Sequence, residues 1–375
     1  MRMGAGVQVR EAYAFAHAVG QMVVGGECQT VGLAGGYTPA GGHSAISSLV
    51  GMGADQTLEF EVFLANGTFL TVSPSQYPDL YWALSGGGPS TYALVWSITV
   101  KSHPDLPAAG LVFTMSSSNH TAFWKFIEFY HTLTPTITAH GAYSFALYRD
   151  GYFQLHPLFA PNTTQAVVQT AFADPLVARL QTLGITTYTS TTSAYSNFLT
   201  AYDALFANFT IGETLYGGRL IPYDVVTQNP VGLIKAVESI VSQAGTIVEV
   251  AMRPTLQAAP NVSDNAVLPA WRTTLLHLLT VLPWNDTAPR SDNLAVERKI
   301  TEFDSVLKEL APSSGAYMNE ADFNNPDWKQ DFFGVNYRRL LRIKDAVDPN
   351  GLFYAATTVG SDRWAQDATG RLCWM

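Results

Sequence analysis

Apolar and polar positions along the chain fall into blocks whose period switches between two and about 3.6 residues, and these blocks mark out the elements. Residues 7–9 are predicted as a short strand. Residues 10–21 are predicted as a helix with Ala12, Phe15, Ala16 and Val19 on one face. Residues 56–64 and 69–72 form a predicted hairpin around Ala65-Asn66-Gly67, because Asn-Gly takes up the left-handed backbone of a tight turn. Residues 78–84 make a short helix that stops at Gly86-Gly87-Gly88. Residues 93–101 form the next strand, closed by His103-Pro104.

Beyond Pro104 the texture changes. Residues 110–115 read as a strand, and Asn119 is placed to cap an amphipathic helix running to Leu133. Strands are predicted over 141–148, 152–157, 185–189 and 246–252. Helices are predicted over 164–172, 175–183, 194–206 and 231–244. Residues 261–289 show no regular period. Residues 291–310 have a strong helical stripe, residues 315–322 read as strand or turn, and residues 333–347 form a last helix ended by Asp348-Pro349-Asn350-Gly351. This order predicts an α+β fold whose central part is an antiparallel sheet backed by helices.

Composition narrows the class. At 375 residues, 47% hydrophobic and 14% charged, the chain has material for two domains with their own cores. A net charge of −9 and the lack of a basic cluster argue against a nucleic-acid partner. No apolar run reaches the length of a membrane span. Six Asn-x-Ser/Thr sequons, at Asn66, Asn119, Asn162, Asn208, Asn261 and Asn285, lean toward a secreted glycoprotein. The opening residues Met1 to Val7 lack the apolar core of a signal peptide, so the natural N-terminus is expected to lie upstream.

The chemistry concentrates in residues 25–44, where seven of twenty residues are glycine and one of two cysteines, Cys28, is found. Glycine serves where backbone must turn with positive φ or approach a ligand without a Cβ, and bare N–H groups suit an anionic or flat polar ligand. A flexible surface loop has the same composition, and the spacing of Gly32, Gly35 and Gly36 does not fit the dinucleotide fingerprint. His43 and His156 have no metal-ligand spacing to any partner, so no metal is expected.

Four segments together resemble the berberine-bridge-enzyme-like flavin oxidases of the vanillyl-alcohol-oxidase superfamily, with the texture of the isoamyl-alcohol-oxidase-like branch. They are Gly26-Glu27-Cys28-Gln29-Thr30-Val31-Gly32-Leu33-Ala34-Gly35-Gly36 with Gly41-Gly42-His43-Ser44; Gly53-Ala54-Asp55-Gln56 with its following strand; Pro78-Asp79-Leu80-Tyr81-Trp82-Ala83-Leu84-Ser85-Gly86-Gly87-Gly88; and Asn336-Tyr337-Arg338-Arg339-Leu340 with Lys344 and Asp348-Pro349-Asn350-Gly351-Leu352-Phe353-Tyr354. The resemblance implies a two-domain fold. Residues 1–104 would be the second half of a PCMH-type FAD-binding domain, residues 105–314 a substrate domain, and residues 315–375 a return to the FAD domain. It also implies FAD as cofactor, with Cys28 bonded to the flavin C6 position. The family's second tether, a histidine, belongs to an earlier segment that this chain does not contain.

The same resemblance assigns cofactor contacts to Thr30, Gly32, Gly35, Gly36, Gly42, His43, Ser44, Asn336 and Tyr354. It sets Tyr317-Met318-Asn319-Glu320-Ala321-Asp322 beside a family motif whose second tyrosine is the catalytic base, and here that position is Glu320. A carboxylate serves as base if a partly apolar site lifts its pKa. Tyr317 and Asn319 complete the candidate catalytic set, and Tyr317 shares a face with Glu320 only if the segment is not a regular strand. The implied reaction is oxidation of a small alcohol, with hydride passing to flavin and molecular oxygen as acceptor. The alternatives are a flavin-free, inactive relative and a secreted glycan-binding protein. Arg219 is a candidate for the substrate side, with a plain surface arginine as the alternative.

Overall fold

A computed structural model describes residues 1–89, 91–206, 214–259, 262–367 and 369–375. The sequons at Asn208 and Asn261 lie outside these residues. The first sheet has four antiparallel strands, β1 (Arg2–Gly4), β2 (Thr57–Phe63), β3 (Phe69–Val72) and β4 (Leu94–Val100), in the order β1-β4-β2-β3. The predicted hairpin is present: β2 and β3 pair Phe63 with Phe69, and Gly67 has φ of 81°.

The predicted strand at 7–9 is not formed. The first strand lies earlier, at β1, and Val9 instead opens helix α1 (Val9–Ala18), where the Gln8 amide donates to the Glu11 carboxylate. The helix buries Val9, Ala12, Tyr13 and Ala16, whereas Phe15 and Val19 are 62% and 58% exposed. Two alanines belong to both possible stripes, so periodicity alone could not choose between them. Tyr13 chooses: its ring meets Phe198 at 5.0 Å and Tyr202 at 4.8 Å, and its hydroxyl donates to the Gly26 carbonyl. Helix α2 (Pro78–Leu84) forms as predicted and ends into Gly86 with φ of 104°.

The second sheet has seven strands. They are β5 (Ala108–Ser116), β6 (Tyr143–Arg149), β7 (Tyr152–Pro161), β8 (Thr187–Tyr195), β9 (Thr214–Pro222), β10 (Thr246–Ala251) and β11 (Thr274–Pro283), in the order β8-β5-β7-β6-β10-β11-β9, all antiparallel. Strands β9 and β11 have no counterpart in the sequence reading, and β11 falls in a stretch read as irregular. Nearly every residue of β11 is buried, so it carries no polar–apolar alternation to reveal a strand. The helix predicted at 194–206 begins only at Phe198, because Ala194 and Tyr195 still belong to β8. The helix predicted at 333–347 begins at Tyr337, after two short turns.

One face of this sheet is covered by helices α3 (His120–Ala139), α4 (Pro230–Val241) and α5 (Arg290–Leu310). Ile127, Leu233 and Ile300 from them join Phe113, Ile247 and Leu278 in one core. Asn119 caps α3 as predicted, accepting from the Ala122 amide. The opposite face, through Tyr143, Leu220 and Val250, shares a second core with Val24, Ala34 and Tyr37 of the N-terminal region. Successive strand residues point to opposite faces. Glu249 of β10, opposite Leu278, therefore lies under the helices, and His277 of β11, opposite Val250, faces the glycine-rich segment.

Candidate active site

The glycine-rich segment is held from both sides by aromatic hydroxyls. Tyr13 donates to the Gly26 carbonyl at 3.0 Å, Tyr202 to the Glu27 carbonyl at 2.7 Å, and Tyr37 to the His43 carbonyl at 2.6 Å. Two kinds of glycine are present. Gly42 has φ of 66°, and a Cβ there would sit 2.5 Å from the Tyr37 ring, so it is required by packing. Gly36 has no neighbour within 4 Å of where a Cβ would be, which leaves backbone open to a ligand. Gly32 is exposed, Gly35 is half-buried, and Thr30 is exposed beside the half-buried Cys28, whose Sγ lies 3.6 Å from the Thr30 hydroxyl. Ser44 is wholly buried and serves the turn itself: its amide donates to Ser47 and its hydroxyl accepts from the Ile46 amide.

From the other end of the chain, Met318–Glu320 forms a single tight turn in which the Glu320 amide donates to the Tyr317 carbonyl. This is not a regular strand, so Tyr317 and Glu320 reach the same place. His43 Nε2 lies 3.2 Å and 3.3 Å from the two Glu320 carboxylate oxygens, and the His43 ring meets the Tyr317 ring edge-on at 5.3 Å. The Asn319 amide donates to the Tyr317 hydroxyl at 2.9 Å and to the Gly36 carbonyl at 3.4 Å. The predicted catalytic set and the glycine-rich segment thus form one wall.

Two residues of this wall were not picked out from sequence. His277 of β11 places Nδ1 3.5 Å from Glu320. Glu27, next to Cys28, accepts a hydrogen bond from Tyr143 and lies 4.0 Å from His43 Nδ1. Trp271 and Tyr317 enclose both histidines, with ring centroids 5.3 to 5.9 Å apart. A lone histidine inside an otherwise apolar, strand-length run was the available signal for His277. The sequence reading expected no metal, yet the fold brings possible ligand atoms of His43, His277 and Glu320 within 4.8 Å of one another.

Burial pushes the Glu320 carboxyl up, but the charge and hydrogen bond of His43, aided by His277, hold it below the usual carboxylate range. It is therefore ionised at neutral pH, and the partly apolar surroundings do not lift its pKa. Burial opposes the charge on His43, while Glu320 and then Glu27 raise its pKa above the ordinary value. Burial presses His277 down to about 4, and burial lifts Glu27 to about 7 against the pull of His43 and Tyr143.

The remaining candidates lie elsewhere. Asn336 precedes helix α6 (Tyr337–Val347), but its side chain does not cap it; the amide donates to the Ala266 and Val267 carbonyls. Tyr354 is partly exposed against Trp364, and Tyr337 bonds Asp362. Among the described residues, no hydrogen bond, ion pair or ring contact joins Asn336 or Tyr354 to His43 or Glu320. Arg219 is neither on the site face nor at the surface. It is buried on the helix side of the sheet, donating to the carbonyls of Ala311 and Pro312 and lying 3.4 Å from Asp331.

A half-buried thiol and open backbone at Gly36 fit the flat, polar-edged flavin that the resemblance implies. The comparisons with known proteins point the same way. Residues 316–360 match the berberine and berberine-like family. The chain is 42% identical over 377 residues to the FAD-linked oxidoreductase patO of Aspergillus clavatus, an alignment covering 99% of this chain and 65% of that protein. It is 37% identical to the FAD-linked oxidoreductase sor8 of Hypocrea jecorina, covering 99% and 64%. The crystal structure of the VAO-type flavoprotein MtVAO615 from Myceliophthora thermophila superposes with a TM-score of 0.92 at 32% identity, over 100% of this chain and 69% of that one. The chain thus spans just under two thirds of the length of these curated relatives.

Proposed function

Because this chain belongs to the berberine-bridge-enzyme-like, vanillyl-alcohol-oxidase-type FAD-linked oxidoreductases, we propose that it oxidises a small alcohol or related hydroxyl compound at the wall between Cys28 and Glu320. The observation that carries this reading is the meeting of Glu320 with His43 and His277, beside the segment that presents Cys28. FAD, when bound, supplies the hydride acceptor. Cys28 is its covalent anchor, Thr30, Gly32, Gly35 and Gly36 offer backbone and hydroxyl contacts along the same segment, and molecular oxygen is the final electron acceptor. Residues 1–104 and 315–375 form the flavin side, and residues 105–314 the substrate side.

Glu320 accepts the hydroxyl proton of the substrate. Ionised at neutral pH and one-third exposed, it is both charged and reachable. His43 and His277 orient the carboxylate from two sides. Asn319 fixes the turn by bonding Tyr317 and the Gly36 carbonyl, and Trp271 with Tyr317 keeps water from the buried side. Secretion as a glycoprotein is consistent with the four described sequon asparagines, Asn66, Asn119, Asn162 and Asn285, all of which are exposed. Among the described residues no helix is long and apolar enough to cross a membrane.

The test is the visible spectrum of the purified protein. Flavin absorption, retained after acid precipitation in the parent but not in Cys28→Ser, together with alcohol-dependent hydrogen peroxide release, is the expected result. A protein that stays colourless after incubation with FAD would make it a flavin-free, inactive relative.

A further inference from the structure

We propose that His43, His277 and Glu320 form a binding site for one divalent transition-metal ion of the zinc class. The site stands on these three side chains and does not depend on flavin binding.

The geometry comes first. Zinc holds nitrogen and carboxylate ligands at about 2.0–2.2 Å, which sets tetrahedral neighbours about 3.3–3.6 Å apart. His43 Nε2 lies 3.2 and 3.3 Å from the Glu320 oxygens, and His277 Nδ1 lies 3.5 Å from Oε2. The edges from His43 Nε2 and His277 Nδ1 to Glu320 Oε2 already have this length, and one ligand atom from each of the three residues lies within 4.8 Å of the other two. Closing the edge between the histidines asks only that the two imidazoles tilt inward, from ring centroids 5.6 Å apart.

The second observation is unmet polarity. His277 is fully buried, yet neither of its ring nitrogens has a hydrogen-bond partner. Leaving a buried polar group in that state costs about 1–3 kcal/mol. A metal ion between the three groups would satisfy one of its nitrogens by coordination. His43 Nδ1 is also buried without a hydrogen bond, and it faces Glu27 at 4.0 Å, so coordination through Nε2 would place a carboxylate behind the ligand histidine.

The donor set fixes the class. Two imidazoles and one carboxylate suit zinc, cobalt or iron, and not calcium or magnesium, which favour all-oxygen shells. The Glu320 side chain is 34% exposed while His43 and His277 are closed off, so the ion has a route in and a fourth position open to solvent. Occupancy would engage Glu320 and His43 together, removing the proposed base from proton transfer. Such an ion is therefore an inhibitor of the oxidation proposed above.

Cobalt(II) is the probe. The purified protein, stripped with a chelator and titrated with cobalt(II), is expected to develop visible d–d bands that saturate at one equivalent. Zinc is expected to erase these bands, and magnesium to leave them unchanged. Glu320→Gln and His277→Leu should each weaken binding by at least the about 10–100-fold that loss of an outer-shell partner costs, while Cys28→Ser leaves it intact. Circular dichroism and melting temperature establish that each variant is folded. If His277→Leu does not fold, Glu320→Gln decides, since its partly exposed side chain keeps its shape. Absence of saturable bands, or binding that survives the folded variants, overturns the site.

Discussion

Two histidine–glutamate pairs lie on opposite faces of the same seven-stranded sheet, and they are built differently. Under the helices, His131 of α3 meets Glu249 of β10 at 2.8 Å; the residues are 2% and 0% exposed, and the Tyr148 hydroxyl donates to the same carboxylate oxygen at 3.1 Å. Across the sheet, His277 of β11 faces Glu320 at 3.5 Å, with no hydrogen bond to either ring nitrogen and with Glu320 partly open. The first pair is closed to solvent and bonded through His131 Nε2 and Glu249 Oε2, tying a helix to a sheet, while His131 Nδ1 and Glu249 Oε1 have no hydrogen-bond partner. The second leaves valence unspent beside an opening. Both pairs leave polar atoms unbonded, so what marks the second as a site is that its histidine has no hydrogen bond at either ring nitrogen and that its carboxylate can be reached.

The sharpest break between the pairs is predicted in activity. Glu320→Gln keeps the shape of the side chain but cannot take a proton, so alcohol-dependent flavin reduction should fall by about 10²–10⁴-fold with unchanged folding. Rapid-mixing absorbance of the flavin measures this, and near-parental reduction would remove Glu320 from the base role. Glu249→Ala should do the reverse. It leaves His131 buried without its partner and is expected to cost about 3–5 kcal/mol in urea unfolding, with flavin reduction unaffected well below the melting temperature. A loss of activity in folded Glu249→Ala would mean that the two faces are coupled.

How much of this was legible in the sequence follows from what each residue needs. The turn at Asn66-Gly67, the helix stop at Gly86 and the Asn119 cap are local requirements, and they were read correctly. Glu320 and His43 could be placed by resemblance, because their motifs are contiguous. Strand β11 and its His277 were not found, since burial on both faces erases the alternation that identifies a strand. Arg219 was expected at the substrate side or the surface and is at neither, because only the register of β9 with β11, Arg219 opposite Leu278, decides which face it takes. Glu27 was quoted within its motif but not singled out. Its importance comes from Tyr143 and His43, 116 and 16 residues away in the chain, and no local pattern carries that.

Glu27 sharpens the comparison through pH. Its folded pKa of about 7 lies above the ordinary 4.5 of a glutamate, so the folded state binds the extra proton between those values. Stability is then expected to fall as pH rises from about 4.5 to about 7 and to level off above it. Glu27→Gln, which keeps an oxygen for Tyr143, should abolish this fall. Relative to the parent it should gain up to about 3 kcal/mol above pH 7 and nothing below pH 4.5, as read from urea midpoints across pH. A parallel shift at every pH would show that packing, and not titration, is responsible.

The smallest effect tests the wholly unbonded ring of His277 most directly. His277→Leu replaces a buried ring without hydrogen bonds by an apolar group of similar size. Near neutral pH the protein should be as stable as the parent or more so, by up to about 1–3 kcal/mol, because a desolvated polar group without a partner disappears. The difference should widen in acid. With a folded pKa of about 4 against an ordinary 6.5, His277 resists a proton that the unfolded chain accepts, so the parent loses stability as pH falls from 6.5 toward 4 and the variant is spared that loss. Urea midpoints at pH 7.5 and pH 5 measure both parts. If His277→Leu proves as destabilising as Glu249→Ala, then His277 holds the fold together as His131 does, and the distinction between the two faces of the sheet fails.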